Sequence, residues 1–140
     1  MNSSPSVTLE KCGVTKAVLD TSAILAWFWN ERGGDRLYDV LDEARISAVN
    51  LAEVVQKLVD KPVDEATIGL MLGGLAAVIE PFDRNDALQA GLWRRATRSR
   101  GLSLGARACL ALGKRLDLPV YTADRAWAEL DLGVEVVLIR

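Results

Sequence analysis

The chain has 140 residues, half of them hydrophobic and 26% charged, with a formal net charge of -2, which is the size and balance of one soluble domain with a real core. No apolar run approaches the roughly 18 residues of a membrane span, and the polar start lacks the basic-then-apolar order of a signal peptide, so a cytoplasmic protein is expected. With no His and only two cysteines, Cys12 and Cys109, a Cys/His zinc site and any His-based triad are excluded, and chemistry is left to carboxylates, hydroxyls and basic groups.

Short β-like runs alternate with helical stretches, the pattern of an α/β fold with a parallel sheet. Ala17–Leu19 reads as a buried strand ending at Asp20, with Thr21 and Ser22 supplying N-cap chemistry for a helix over 23–27. Gly33-Gly34 interrupts the chain before a second helix over about 35–44. A strand over 46–49 follows. Asn50 then opens a helix whose apolar residues Leu51, Val54, Val55, Leu58 and Val59 recur with helical period, stopping near Lys61 before Pro62. The stretch 64–77 is apolar nearly all round, which predicts a helix that is buried or at a dimer interface.

Residues 78–82 read as an edge strand, because Pro81 cannot donate to a ladder. Helices are expected over 84–98 and over Leu104–Leu116, the latter capped by Ser103. Cys109 falls inside this second helix and reads as a small core residue. A strand at Val120–Thr122, a short helix over 124–130 and a last strand over 134–139 complete the pattern. Residues 1–16 read as a loosely held extension and 17–140 as the domain.

Charge is unevenly spread. Between residues 87 and 116 there is no acid, whereas Arg94, Arg95, Arg98, Arg100, Arg107, Lys114 and Arg115 are basic. Such a stretch suits phosphate; its other readings are a solvated helix face or an interface to an acidic partner.

Three acidic positions share one topological address. Asp20 closes the first strand, Glu53 follows the second, and Asp124 follows the penultimate one. In open parallel sheets the carboxyl ends of strands gather in one crevice. Carboxylates brought together there repel one another, and a divalent cation is the usual remedy; oxygen ligands without His or Cys favour Mg²⁺ or Mn²⁺. Each acid also has a local explanation. Asp20 and Asp124 could cap the helices they precede, and Glu53 stands three residues after Asn50, the spacing of a capping box. Their shared location, not any one of them, carries the argument.

The blocks Val18-Leu19-Asp20-Thr21-Ser22-Ala23, Asn50-Leu51-Ala52-Glu53-Val54, Leu102-Ser103-Leu104-Gly105 and Thr122-Ala123-Asp124-Arg125-Ala126-Trp127 resemble, in this order, those of bacterial PIN domains, most closely the VapC toxins of toxin–antitoxin pairs. The resemblance covers nearly the whole chain from about Ala17. It implies a three-layer α/β/α domain with a parallel sheet of four or five strands, and an acidic site that binds Mg²⁺ or Mn²⁺ and cleaves RNA. Carried over by position, Asp20, Glu53 and Asp124 would be the catalytic and metal-binding carboxylates, with Ser22 and Thr122 as supporting hydroxyls. Arg94, Arg95, Arg98, Arg100 and Arg107 would receive the RNA backbone. The resemblance also implies an antitoxin partner, a homodimer, and structured substrates such as tRNA or ribosomal RNA.

The chain departs from the pattern at one position. After Leu102-Ser103-Leu104 the family places an Asp or similar carboxylate where this sequence has Gly105-Ala106-Arg107. Ala106 carries no oxygen and cannot coordinate a metal, so the expectation is a ribonuclease inactivated or weakened at that position. The other blocks are intact, which favours deliberate replacement over natural drift; an alanine codon in the native coding sequence would overturn that reading. Two other functions compete. A non-catalytic RNA- or antitoxin-binding domain would use the same acidic pocket to receive a basic side chain. A phosphotransfer enzyme with Asp20 as nucleophile is disfavoured, because haloacid-dehalogenase enzymes need a second Asp where this chain has Ser22.

Overall fold

β1 (Ala17–Leu19) is wholly buried, and its side chains divide between two cores. Ala17 and Leu19 enter one hydrophobic cluster and Val18 the other, as strand alternation dictates for a strand covered on both faces. The structure, a computed structural model, describes residues 16–140; residues 1–15 of the expected extension, with Cys12, lie outside the described residues.

β1 is the middle of a five-stranded sheet with β2 (Ala44–Ser47), β3 (Val78–Glu80), β4 (Val120–Thr122) and β5 (Val136–Leu138). The order is β3-β2-β1-β4-β5 and every pairing is parallel. One core takes residues of α1 (Thr21–Phe28), α2 (Ala48–Val59) and α3 (Glu65–Gly73). The other is built on α6 (Leu104–Leu116), against which α4 (Arg84–Leu92) packs, followed by the single turn of α5 (Arg94–Thr97). The result is the expected three-layer α/β/α arrangement. Among the described residues no helix is long and apolar enough to cross a membrane.

The strand order positions the site. From β1 the chain steps outward to β2 and β3, then crosses to β4 on the other side of β1. The order therefore reverses around β1, and in such sheets the crevice opens at the carboxyl ends of the strands flanking the reversal. Asp20 stands there, its N–H bonded to the Tyr121 carbonyl of β4 at 3.0 Å.

Several local expectations are corrected. The cap of α1 is Asp20 itself, which accepts from the Ser22 N–H, rather than Thr21 or Ser22. The helix expected over 35–44 is two 3-10 turns, Gly34–Asp39 and Leu41–Glu43. α2 begins at Ala48 with Ser47 as its cap, so Asn50 lies inside the helix and the Asn50–Glu53 capping box does not form. The ladder decides this boundary: Arg45, Ile46 and Ser47 pair with Val78, Ile79 and Glu80, and pairing ends there. α3 is shorter than expected and mostly exposed; only Ile68 is buried, and Leu70 is 78% exposed. The helix expected over 84–98 divides into α4 and α5, with Trp93 between them. Ser103 caps α6, accepting from the Ala106 N–H at 3.1 Å.

Candidate active site

The acidic positions line one cleft of about 430 Å³. Asp20, Glu53 and Asp124 contribute to its wall together with Thr21, Ser22, Lys57 and Ala106. Three separate crossings of the sheet thus deliver their side chains to one concavity.

Asp20 is buried, and its Oδ2 accepts from the Ser22 hydroxyl at 2.7 Å, the Thr122 hydroxyl at 2.9 Å and the Ser22 N–H at 3.4 Å. Burial nevertheless dominates and raises its pKa above the ordinary 3.8, the hydrogen bonds from Ser22 and Thr122 opposing it. The Ser22 and Thr122 hydroxyl oxygens stand 3.1 Å apart, drawn together by the Asp20 Oδ2 to which both donate. The Ser22 Oγ accepts from the Ala123 N–H, and the Thr122 Oγ1 from the Asp124 N–H. The two expected supporting hydroxyls therefore tie the ends of β1 and β4 into one unit around the Asp20 carboxyl group. Asp124, more exposed, accepts from the Ala126 N–H at 3.0 Å and caps the 3-10 turn Arg125–Glu129.

Glu53 is held by Thr21 and Asn50, which in sequence read only as capping residues. The Thr21 hydroxyl donates to Glu53 Oε1 at 2.8 Å. The fully buried Asn50 donates from Nδ2 to Thr21 Oγ1 and to the Gly105 carbonyl, each at 3.1 Å, with a longer 3.4 Å contact to Glu53 Oε1. The Gly105 carbonyl can only accept, which fixes the Asn50 amide with its nitrogen inward and leaves Oδ1 without a partner among the described residues. Gly105 is also a steric necessity, because a Cβ there would collide with the Glu53 carboxyl group. Asn50 thus binds the first, second and third sequence blocks together.

Ala106 lies in the first turn of α6 and is part of the cleft wall. Among the described residues no three His, Cys, Asp or Glu side chains stand close enough together to hold a metal ion. The carboxylates share a cleft without forming a ligand cluster.

The arginines separate into distinct groups. Arg94, Arg95 and Arg98 line a second depression, Arg100 pairs with Glu129 at 3.0 Å, and Arg107 is buried with its Nη1 donating to the Ala90 carbonyl at 2.7 Å. The expectation that Arg107 receives RNA is corrected: its guanidinium joins α6 to the end of α4 and is not presented to solvent. Lys57, Thr21, Asn50 and Gly105 were missed as site residues. Thr21, Asn50 and Gly105 lay inside the quoted blocks without a site role assigned to them, and Lys57 stands one turn after Glu53 at i+4 and so shares its helix face.

By sequence, no curated protein matches this chain. By structure it is similar to DNA-bound VapBC from Salmonella typhimurium, with a TM-score of 0.71 at 17% identity, covering 90% of this chain and 99% of that one. VapC20 from Mycobacterium tuberculosis, described as a sarcin-ricin loop cleaving toxin, gives 0.66 at 20% identity, covering 86% and 99%. VapBC-5 of the same organism, a member of the VapBC family of toxin–antitoxin systems, gives 0.59 at 24% identity, covering 91% and 98%. These likenesses concern the fold, and the family model described as PIN domain matches residues 17–132; with its parallel sheet and acidic cleft at the end of β1, the chain belongs to the PIN domain family.

Proposed function

We propose that this chain is a VapC-type ribonuclease toxin whose cleft is disabled or weakened by Ala106. The observation that carries the reading is the lining of one cleft by Asp20, Glu53 and Asp124 together with Ala106, the position where the family pattern has a further carboxylate. Its partners in this reading are an RNA of the tRNA or ribosomal class, an antitoxin protein and a second copy of the chain in the cytoplasm. The exposed face of α3 offers one surface for that copy.

The donor set has the right chemistry for Mg²⁺ or Mn²⁺, all oxygen and no His or Cys, and its shortfall is one carboxylate. Mg²⁺ binds through one or two carboxylates and keeps several waters, so one or two of Asp20, Glu53 and Asp124 would hold it directly and the remainder through water. When bound, such an ion activates water and stabilises charge on phosphate oxygens. The chain's own residues supply the rest. Ser22 and Thr122 hold the Asp20 carboxyl group in one orientation. Thr21 and Asn50 do the same for Glu53, which is thereby able to accept a proton from an attacking water. Lys57 on the cleft wall adds a positive charge facing an incoming phosphodiester.

A second reading, a non-catalytic RNA- or antitoxin-binding domain, is favoured by Ala106 itself. Cleavage of total RNA in Mg²⁺ by this chain and by its Ala106→Asp form separates the two. An active Ala106→Asp protein beside an inert parent supports the disarmed nuclease, and two inert proteins support the binder. Equal cleavage by both would show that position 106 does not belong to the site.

A further inference from the structure

Among the described residues, Lys57 is the one basic side chain in the wall of the acidic cleft; the other charged groups there are Asp20, Glu53 and Asp124. It follows Glu53 by one turn of α2. Glu before Lys at i and i+4 is the favourable order for an ion pair on a helix, yet the pair does not form. Glu53 Oε1 takes the Thr21 hydroxyl at 2.8 Å instead, and Lys57 makes no ion pair with any acid among the described residues. Lys61, one turn further on, lies over the Trp29 ring at 5.4 Å. Lys57 is exposed, and its ammonium group has neither kind of partner.

A free ammonium group in an acidic wall acts on both kinds of ion that can enter. The cleft, about 430 Å³ in volume, is small beside the Debye length of about 10 Å, so salt does not separate its charges. A divalent cation arriving alone is drawn by the acids and opposed by Lys57. A phosphodiester arriving alone is opposed by the acids and drawn by Lys57. When both arrive, a phosphate oxygen takes the ammonium group as its partner, and the cation loses its opponent. The acids do not form a ligand cluster by themselves, and Mg²⁺ ordinarily adds substrate phosphate oxygens to one or two carboxylates. Each ligand therefore removes what opposes the other.

We infer that Lys57 couples the two ligands of the cleft: it weakens the binding of a divalent cation alone, and a phosphodiester relieves that opposition by binding to it. The inference rests on the nuclease reading for the identity of both ligands. It makes Lys57 the side chain through which metal and strand bind cooperatively, and by linkage each raises the affinity of the other by the same factor. A lysine that merely solvates the surface of α2 would move neither affinity.

The test uses the full chain with Ala106, Mn²⁺ followed by the resonance of the free ion, and a labelled single-stranded RNA of about 12 nucleotides. The parent is compared with Lys57→Gln and Lys57→Arg. Without RNA, Lys57→Gln should bind Mn²⁺ about fivefold tighter, the scale set by one charge about 7 Å from a divalent ion in a watery cleft. Without metal, the same variant should bind RNA about fivefold more weakly at 0.1 M salt, with a salt slope lower by about 0.7, as for one lost phosphate contact. The ratio of Mn²⁺ affinities with and without RNA should fall about fivefold. Lys57→Arg, which keeps the charge, should match the parent in all three. Unchanged Mn²⁺ affinity in Lys57→Gln overturns the inference, as does Mn²⁺ binding too weak to measure in both proteins. Loss of both affinities together would mark a structural role and overturns it too. The outcome is separable from the cleavage reading. An inert Ala106→Asp protein beside these opposite shifts keeps the coupling and removes the nuclease, and an active one without them does the reverse.

Discussion

The α2 wall of the cleft and the α6 wall face the same space but differ in what they retain. On α2, Glu53 is gripped by the Thr21 hydroxyl, approached by the Asn50 amide, and accommodated only because residue 105 lacks a side chain. On α6, Ser103 caps the helix and presents residue 106 to the cleft, where an alanine methyl group stands. The hydrogen-bonded network around Glu53 is in place, and in the proposed nuclease reading the α6 wall lacks one chemical group. In that reading orientation and chemistry are separate properties of the site, and an alanine in place of a carboxylate in a well-capped first turn leaves the network standing, since alanine suits a helix interior.

The largest expected effect follows from restoring that group. Ala106→Asp should raise Mg²⁺-dependent cleavage of total RNA by on the order of a hundredfold or more, because even supporting residues around metal sites are worth about 10- to 100-fold. The new carboxylate would also sit in the first turn of α6, where the helix dipole favours it. Mapped cut sites would identify the RNA, and rates equal to the parent's would break the comparison at its root.

Disturbing the intact wall should do less. In the Ala106→Asp background, Gly105→Ala places a methyl group against the Glu53 carboxyl group and should lower cleavage by about 10- to 100-fold. Preserved activity in a folded Gly105→Ala protein would mean that Glu53 does not need its observed position.

Asn50→Ala removes the amide that joins three blocks, taking one buried donor from Thr21 Oγ1 and the second donor from the Gly105 carbonyl, which keeps its helical partner in α6. A loss of about 1–3 kcal/mol is expected in urea unfolding. A change of only a few tenths would show that water replaces the amide without cost.

The smallest effect concerns Asp20 and pH. Its folded pKa lies above the ordinary 3.8 because of burial, so the native state holds the proton more tightly than the unfolded chain. The stabilisation that protonation provides is fully present below the unfolded pKa and is lost as pH rises through the folded one. Asp20→Asn, which keeps an acceptor for Ser22 and Thr122 but never ionises, should therefore raise Tm at pH 7. The gain should shrink on acidification toward pH 4. A Tm difference independent of pH would indicate that Asp20 does not titrate against burial.

Much of the architecture was legible because short-range chemistry records it. Alternation of apolar runs announced the parallel sheet, and strand-end acids announced the crevice. Ser103 before an uninterrupted helical run marked the start of α6 at its true residue. The start of α2 was harder. Ser47 and Asn50 are both good caps, and Ala48-Val49 reads as strand; pairing with β3 ends the strand at Ser47 and selects the earlier cap. Arg107 could not be sorted from its basic neighbours, since its burial depends on how α4 lies across α6.

The sequence by itself determined the class of fold, the order of its elements and the strand-end placement of three acids, because hydrogen-bonding period, capping and side-chain chemistry act over a few residues. Only the tertiary structure decided that Glu53 is a positioned carboxylate rather than half of a capping box, since its network joins residues 29, 32 and 55 positions apart. The same holds for Thr122, which reaches Asp20 across 102 positions. Such contacts arise only when the sheet assembles and brings the strand ends together, and no local pattern encodes which of several suitable side chains will meet there.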